Sequence, residues 1–312
     1  MRIVMRLHLS LGFVGVLLSV APGPDLKIAV NSTTIESFPV FAAAEALSPQ
    51  IQLVRSPTGR NAMSQLLNSE VDAATGSETQ ALLNSVADPR IRIIVTLAEC
   101  RYRIIARRSA GIRRIADLRG KKVAATVNTS SHYYLSGMLR RAQLKESDIE
   151  FVAMEGQAMS AALQNHNVDA VSIWEPHAQN SFEALGDDAI VLEDPAVYIE
   201  RFNLNTRTDV LRDPAKRLAL RRFLEAIARI SVRLRTQPAD MIPSLAPNVG
   251  LSERAVASVW SQFRFPASLS GELRAVLGEI EPWVAATQKR QPRASQTLVT
   301  LIDTSLLPKS QK

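Results

Sequence analysis

The chain repeats itself once, at long range. Lys27–Thr34 (KIAVNSTT) is matched by Lys122–Thr129 (KVAATVNT), and Ile51–Val54 (IQLV) by Ile149–Val152 (IEFV). Ala62–Ser64 recurs unchanged as Ala158–Ser160, and Asn68–Ala73 (NSEVDA) recurs as Asn165–Ala170 (NHNVDA). The offset between partners stays between 95 and 98 residues throughout. That period is too long for a stacked solenoid and fits two similar α/β lobes instead. Each half reads strand, helix, strand, helix, strand. Short apolar runs between polar turns suit buried parallel strands, and the amphipathic pieces Arg60–Ser69 and Gln157–Asn165 suit crossover helices.

In open parallel sheets, ligands sit beyond the carboxyl ends of the strands. The repeat therefore names the candidate residues. In the first half they are Asn31–Thr34 and Thr75–Thr79; in the second, Thr126–Ser131 and Ser172–Pro176. Thr33 and Thr34 correspond to Asn128 and Thr129, and these hydroxyls and amides, with Ser77, Ser130 and Ser131, suit hydrogen bonds to a polar solute. A strand that delivers such residues to a helix start also offers free backbone N–H groups, which favour an anion. One of Asn128–Ser131 acting only as a helix cap is the plainer alternative. His132 opens the same helix and is placed to donate to an anion. Trp174 follows a strand directly and can wall the ligand's carbon skeleton or pack in the core. Glu175 and Glu78 are partners in the repeat, facing from opposite lobes towards an amino group on the ligand, towards arginines that close the lobes, or towards solvent.

The order of IAV with a polar loop, VDAATGSE, DLRGKKVA (Asp117–Ala124) and VDAVSIWEP (Val168–Pro176) resembles the periplasmic substrate-binding proteins of ABC importers for nitrate, sulfonates, taurine and related compounds. The resemblance runs from about Lys27 to Val284. It implies a type II periplasmic binding protein fold: two α/β lobes, each with a mainly parallel sheet flanked by helices, joined by two crossover strands and closing on ligand about a hinge. A helical C-terminal region packs back on the first lobe. On this pattern residues 25–104 begin the first lobe, 105–200 form the second, 201–288 return to the first, and 289–312 are a loose tail. Arg103–Arg107 and Arg201–Asn205 are the expected connecting strands. Helices are expected from Asp213-Pro214, from Ser252-Glu253 and over Ser270–Thr287.

The first 21 residues fit an export address. Arg2 and Arg6 precede an apolar run, Leu7–Val20, and Ser19-Val20-Ala21 is a small-x-small cleavage pattern. The run is short for a membrane span, and no cysteine near the cut provides a lipid anchor. Removing this segment takes two arginines and no acids from a formal charge of +7, leaving a mildly basic chain. A weak positive field helps draw in an anion. Sparse aromatics and the absence of a reading motif exclude nucleic acid as the expected partner. The single cysteine, Cys100, cannot form an internal disulfide.

The expected function is therefore a solute receptor with no chemistry of its own. Its partners are a small organic anion, such as a sulfonate or a nitrate-class ligand, and the permease and ATPase subunits of an importer; the chain itself is expected to be monomeric. The four histidines, His8, His132, His166 and His177, lack metal-ligand spacing, and no glycine-rich phosphate loop is present. No cofactor or metal is expected. Two alternatives stay open. One is an enzyme or binding protein of the same fold concerned with the pyrimidine of thiamin, against which the missing cysteine-rich motif counts. The other is a periplasmic ligand-sensing domain. The absence of lysine or arginine at the four loop tips points away from a bare, highly charged anion.

Overall fold

A computed structural model describes residues 25–307, so the expected export segment and the last five residues lie outside the described residues. The first lobe begins β1 (Leu26–Asn31), α1 (Phe38–Ala46), β2 (Ile51–Ser56), α2 (Gly59–Leu67), β3 (Ala73–Ser77), α3 (Glu78–Asn84) and β4 (Ile91–Arg101). The second follows as β5 (Arg103–Arg107), β6 (Lys122–Ala125), α4 (Ser130–Arg141), β7 (Glu150–Ala153), α5 (Gly156–Gln164), β8 (Ala170–Ile173), α6 (His177–Leu185) and β9 (Ala189–Leu192). The chain then returns through β10 (Ile199–Arg207) to α7 (Thr208–Arg212), α8 (Pro214–Thr236), α9 (Pro238–Leu245), α10 (Glu253–Val259), β11 (Phe263–Arg264), α11 (Leu273–Thr287) and α12 (Ser295–Val299).

Two mixed sheets result, in the orders β11-β4-β10-β3-β1-β2 and β7-β6-β8-β5-β9. The repeat is visible in their register. Ile28 and Ala29 stand opposite Ala73 and Ala74, just as Val123 and Ala124 stand opposite Ala170 and Val171. The shared VDA motif explains this match. Asp72 accepts a hydrogen bond from the Lys27 amide at 2.8 Å, and Asp169 accepts one from the Lys122 amide at 2.9 Å. Ser69 and His166, which end the preceding helices, both take left-handed backbone with φ near 60°. An arginine closes each turn: Arg207 donates to the Leu66 and Val71 carbonyls, and Arg107 to the Val168 carbonyl and Asp169. The strands are short apolar runs; β8 (AVSI) is buried at every position, as a strand covered on both faces must be. Side chains start the helices: Thr58 caps α2, Ser77 caps α3, and Asp213 with Pro214 opens α8.

One expectation is sharpened and one corrected. Arg103–Arg107 and Arg201–Asn205 are strands, and each lies inside its sheet, antiparallel to the third parallel strand. The connections themselves are Tyr102 and residues 193–198. The chain after Lys289 is not loose as far as residue 307. Arg290 and Arg293 bind the buried Glu281 of α11, Arg293 donates to the Leu82 carbonyl, and Ile302 pairs with Ile93 of β4.

Candidate functional site

The carboxyl ends of β1, β2 and β3 face those of β6, β7 and β8 across a cleft of about 470 Å³, part of it open to solvent. From the first lobe it is lined by Asn31, Thr34, Glu36, Thr58, Gly59, Arg60, Ser77 and Gln80. From the second come Thr126, Thr129, Ser130, Glu155 and Trp174, while Tyr102, Glu200 and Phe202 line it from the crossovers and β10.

Polar contacts tie the lobes together beside this cleft. Arg60 Nη2 donates to the Val127 carbonyl at 2.7 Å, and its Nη1 lies 3.6 Å from Glu155. Gln80 Nε2 donates to the Asn128 carbonyl at 2.8 Å, and Asn128 turns the chain at φ 57°, a conformation asparagine tolerates. Thr79 Oγ1 and Ser130 Oγ lie 3.0 Å apart. On the outer side, Trp283 of α11 meets His132 and Tyr133 edge-on.

The floor is acidic. Glu36 and Glu200 are buried, and both reach the cleft. Thr34 Oγ1 donates to Glu36, while Tyr102 and Ser130 hydroxyls donate to Glu200 Oε1 at 3.1 and 2.7 Å. Burial, reinforced by the charge of Glu200, holds the Glu36 carboxyl well above the usual carboxylate range. Burial pushes Glu200 up to about 7, even though hydrogen bonds from Ser130 and Tyr102 favour its ionised form.

Of the residues singled out from sequence, Thr34, Ser77, Thr129, Ser130 and Trp174 line the cleft together. The others are placed beside it. Thr33 bonds the Asn31 side chain and the Pro57 carbonyl. Ser131 exchanges hydrogen bonds with Ser172 and receives the Thr126 amide, locking the loop from behind. Asn128 contributes its carbonyl to lobe contact. His132 turns away: its Nε2 meets Glu146 at 2.9 Å, and its ring packs on Phe151. Glu78 and Glu175 are buried and serve the strands. Glu78 accepts the Arg201 amide at 3.0 Å; Glu175 accepts the Arg103 guanidinium and the Gln179 amide. Burial first, then the charge of Glu200, raises Glu78 to about 8.

Arg60, Glu155, Glu36, Glu200 and Tyr102 escaped the sequence reading. The signal for the first two was present, because the loops after β2 and β7 also lie at the carboxyl ends of parallel strands. The four loop tips carry no lysine or arginine, but Arg60 brings a guanidinium to the cleft from the start of α2. Among the described residues no group of three or more histidine, cysteine or acidic side chains is arranged to hold a metal ion, and no helix is long and apolar enough to cross a membrane.

The family model described as NMT1/THI5 like matches residues 50–240. A protein of Escherichia coli (strain K12) named for binding aliphatic sulfonates is 40% identical over 74 residues, 24% of this chain and 23% of its own length. The chain spans about a quarter of the length of the curated relatives it matches. Among solved structures, the periplasmic aliphatic sulphonate binding protein SsuA from Escherichia coli superposes with a TM-score of 0.72 at 22% identity, covering 89% of this chain and 92% of that one. The desulfurization enzyme DSZB superposes with a TM-score of 0.65 at 16% identity over 90% of this chain and 97% of its own. At these identities the likeness shows the fold alone, a fold that carries both binding proteins and an enzyme.

Proposed function

Because the chain belongs to the NMT1/THI5-like family, we propose that it is a periplasmic solute-binding receptor that closes two lobes on a small organic solute and presents it to the permease and ATPase subunits of an importer. The observation that carries this reading is the bridged cleft: Arg60, Thr79 and Gln80 of one lobe reach Val127, Ser130 and Asn128 of the other around a cavity lined from both. Such contacts exist only in a closed arrangement, so a solute filling the cavity stabilises closure by differential binding. Arg60 at the mouth and the Asn31 side-chain amide on the wall are the donors that support an organic oxyanion such as an alkanesulfonate as the ligand, in keeping with the names of the relatives. Cys100 counts against an enzymatic role: it is fully buried, and burial together with Glu36 raises its thiol well above the ordinary value, away from a reactive thiolate.

The test is a thermal-shift panel of alkanesulfonates, taurine, nitrate and aromatic carboxylates, paired with small-angle scattering. A ligand at 100 times its Kd stabilises the native protein by about 2.7 kcal/mol and should shrink the scattering envelope. Ligand-induced stabilisation without compaction, or turnover of a bound compound, defeats the receptor reading.

A further inference from the structure

Four carboxyl groups converge where the crossovers leave the cleft: Glu36, Glu78, Glu175 and Glu200, none more than 4% exposed. The fold accounts for two of them, through the Arg201 amide on Glu78 and the Arg103 guanidinium on Glu175. Glu36 and Glu200 are different. They line the same cleft, and their side-chain hydrogen-bond partners are hydroxyls: Thr34 for Glu36, Tyr102 and Ser130 for Glu200. Among the described residues no lysine or arginine pairs with either. The guanidinium on the cleft wall, Arg60, stands at the mouth and already faces Glu155. Acids thus outnumber bases on the lining, with Glu36, Glu155 and Glu200 against Arg60. Asn31 is 5% exposed and lines the same cleft; its Oδ1 is taken by Thr33, so what it offers the cleft is its Nδ2 donor, which suits an oxygen on the solute and not an amine.

Two adjacent buried carboxyls without a counter-charge suffer both desolvation and mutual repulsion when ionised. A cation seated against them relieves both. A sulfonate pushed onto the same floor aggravates both. We infer that the buried end of the solute is a protonated amine held by Glu36 and Glu200, so that the receptor selects an amine-bearing solute rather than a simple anion. This inference rests on reading the cleft as the ligand site. Any oxyanion on the same solute then lies towards Arg60 and the Asn31 side-chain amide, and the amine, not the anion, sets selectivity.

Proton linkage separates the two head groups by sign. Burial raises Glu36 well above the ordinary carboxylate value and Glu200 to about 7, so both favour the protonated form more than a free carboxyl does, and the groups around them do not supply a positive charge: Glu78 from α3, Cys100 and Tyr102 from the end of β4, Glu175 from the second lobe and Tyr198 beside β10. An amine needs the pair ionised, releases protons on binding and binds more tightly as pH rises from 6 to 8. An anion needs the pair protonated and binds more weakly over the same range.

Isothermal titration of the full chain with propylamine, 1,5-diaminopentane, 3-aminopropanesulfonate and propanesulfonate at pH 6, 7 and 8 tests this directly. Buffers of different ionisation enthalpy count the protons released. The expected result is binding of amine-bearing compounds, tightening about tenfold or more between pH 6 and 8 with net proton release. Glu200→Gln and Glu36→Gln should each weaken amine binding at pH 8 at least tenfold and flatten its pH dependence. The wild-type pH series needs no variant, so it stands even if a variant folds poorly. Binding confined to propanesulfonate, or tightening as pH falls, overturns the amine inference and leaves the receptor reading intact. Binding by no compound in the panel overturns the amine inference, and absence of compaction with any solute is the separate failure of the receptor reading.

Discussion

Ser130 Oγ donates to Glu200 Oε1 at 2.7 Å and lies 3.0 Å from Thr79 Oγ1. One hydroxyl at the start of α4 therefore touches the floor of the cleft and the helix that caps the opposite lobe. The repeat placed Ser130 at a ligand loop; its position also makes it a joint between the lobes. A side chain with one rotatable bond can do this because both partners are fixed, Glu200 by the Tyr102 hydroxyl and Thr79 by Ser77.

Ser130→Ala leaves a buried carboxyl short of one donor and removes the contact to Thr79. The cost of losing such a bond to a charged or polar buried partner is about 1–3 kcal/mol. Scattering with a solute that compacts the wild type should give the variant a larger radius of gyration under the same conditions, while circular dichroism stays the same. An unchanged radius would mean that this joint does not hold the lobes.

Trp174→Ala removes an indole that lies at the cleft and is only partly buried, packed against buried apolar clusters on its protein side. Because it is anchored on one side only, its loss should raise the dissociation constant for the solute by tenfold or more, equivalent to about 1.4 kcal/mol, with a smaller effect on folding. Calorimetry and a melting curve separate the two. A large fall in Tm with intact affinity would return Trp174 to the core.

Glu78 carries a proton that the unfolded chain gives up near 4.5 and the fold keeps to about 8. A raised carboxyl contributes stability below its unfolded value and loses it as pH rises through the folded one. Wild-type stability should therefore decline between about pH 4.5 and 8. Glu78→Gln still offers an oxygen to the Arg201 amide and cannot ionise, so it should remove part of that decline. The gain at pH 8.5 over pH 5 should be on the order of 1 kcal/mol in denaturant titrations. An identical slope for both proteins counts against a neutral Glu78.

Glu281 behaves in the opposite sense. Burial alone would raise it, but hydrogen bonds and charge from Arg293 and Arg290 hold it at about 2. The stabilisation is present above the unfolded value of 4.5 and lost as pH falls towards 2. Glu281→Gln leaves two arginines unmatched over α3 and should cost on the order of 3 kcal/mol at pH 7. Limited proteolysis should then cut residues 289–307 first. A tail that stays protected in the variant would show that apolar contacts such as Leu298 and Leu301 suffice.

Much of the fold was legible because it is written twice. The VDA aspartates, the left-handed Ser69 and His166 and the strand registers recur at matching positions, and a recurring pattern separates signal from accident. The helix starts at Thr58, Ser77 and Asp213 follow from local chemistry alone. The floor of the cleft was not legible in this way. Glu36, Tyr102 and Glu200 lie on a short 3₁₀ turn, on the first crossing and at the start of β10, outside the matched segments of the repeat. Glu78 and Glu175 were found for the right reason, their symmetry, but symmetry made them partners of Arg201 and Arg103 rather than of the solute. The tail was misjudged because its hold depends on one buried acid whose matching arginines are local to it only in three dimensions.

The path of the chain through the two sheets has a consequence for biogenesis. The second sheet, β5 to β9, is contiguous between Arg103 and Leu192, whereas the first is missing a central strand until β10 arrives at residues 199–207. A chain emerging from its N-terminus thus meets its second lobe complete before its first. Until then, β3 and β4 expose unpaired edges that invite association with other chains. Late-emerging β10 zips both edges at once, and the half synthesised first is the half that finishes last.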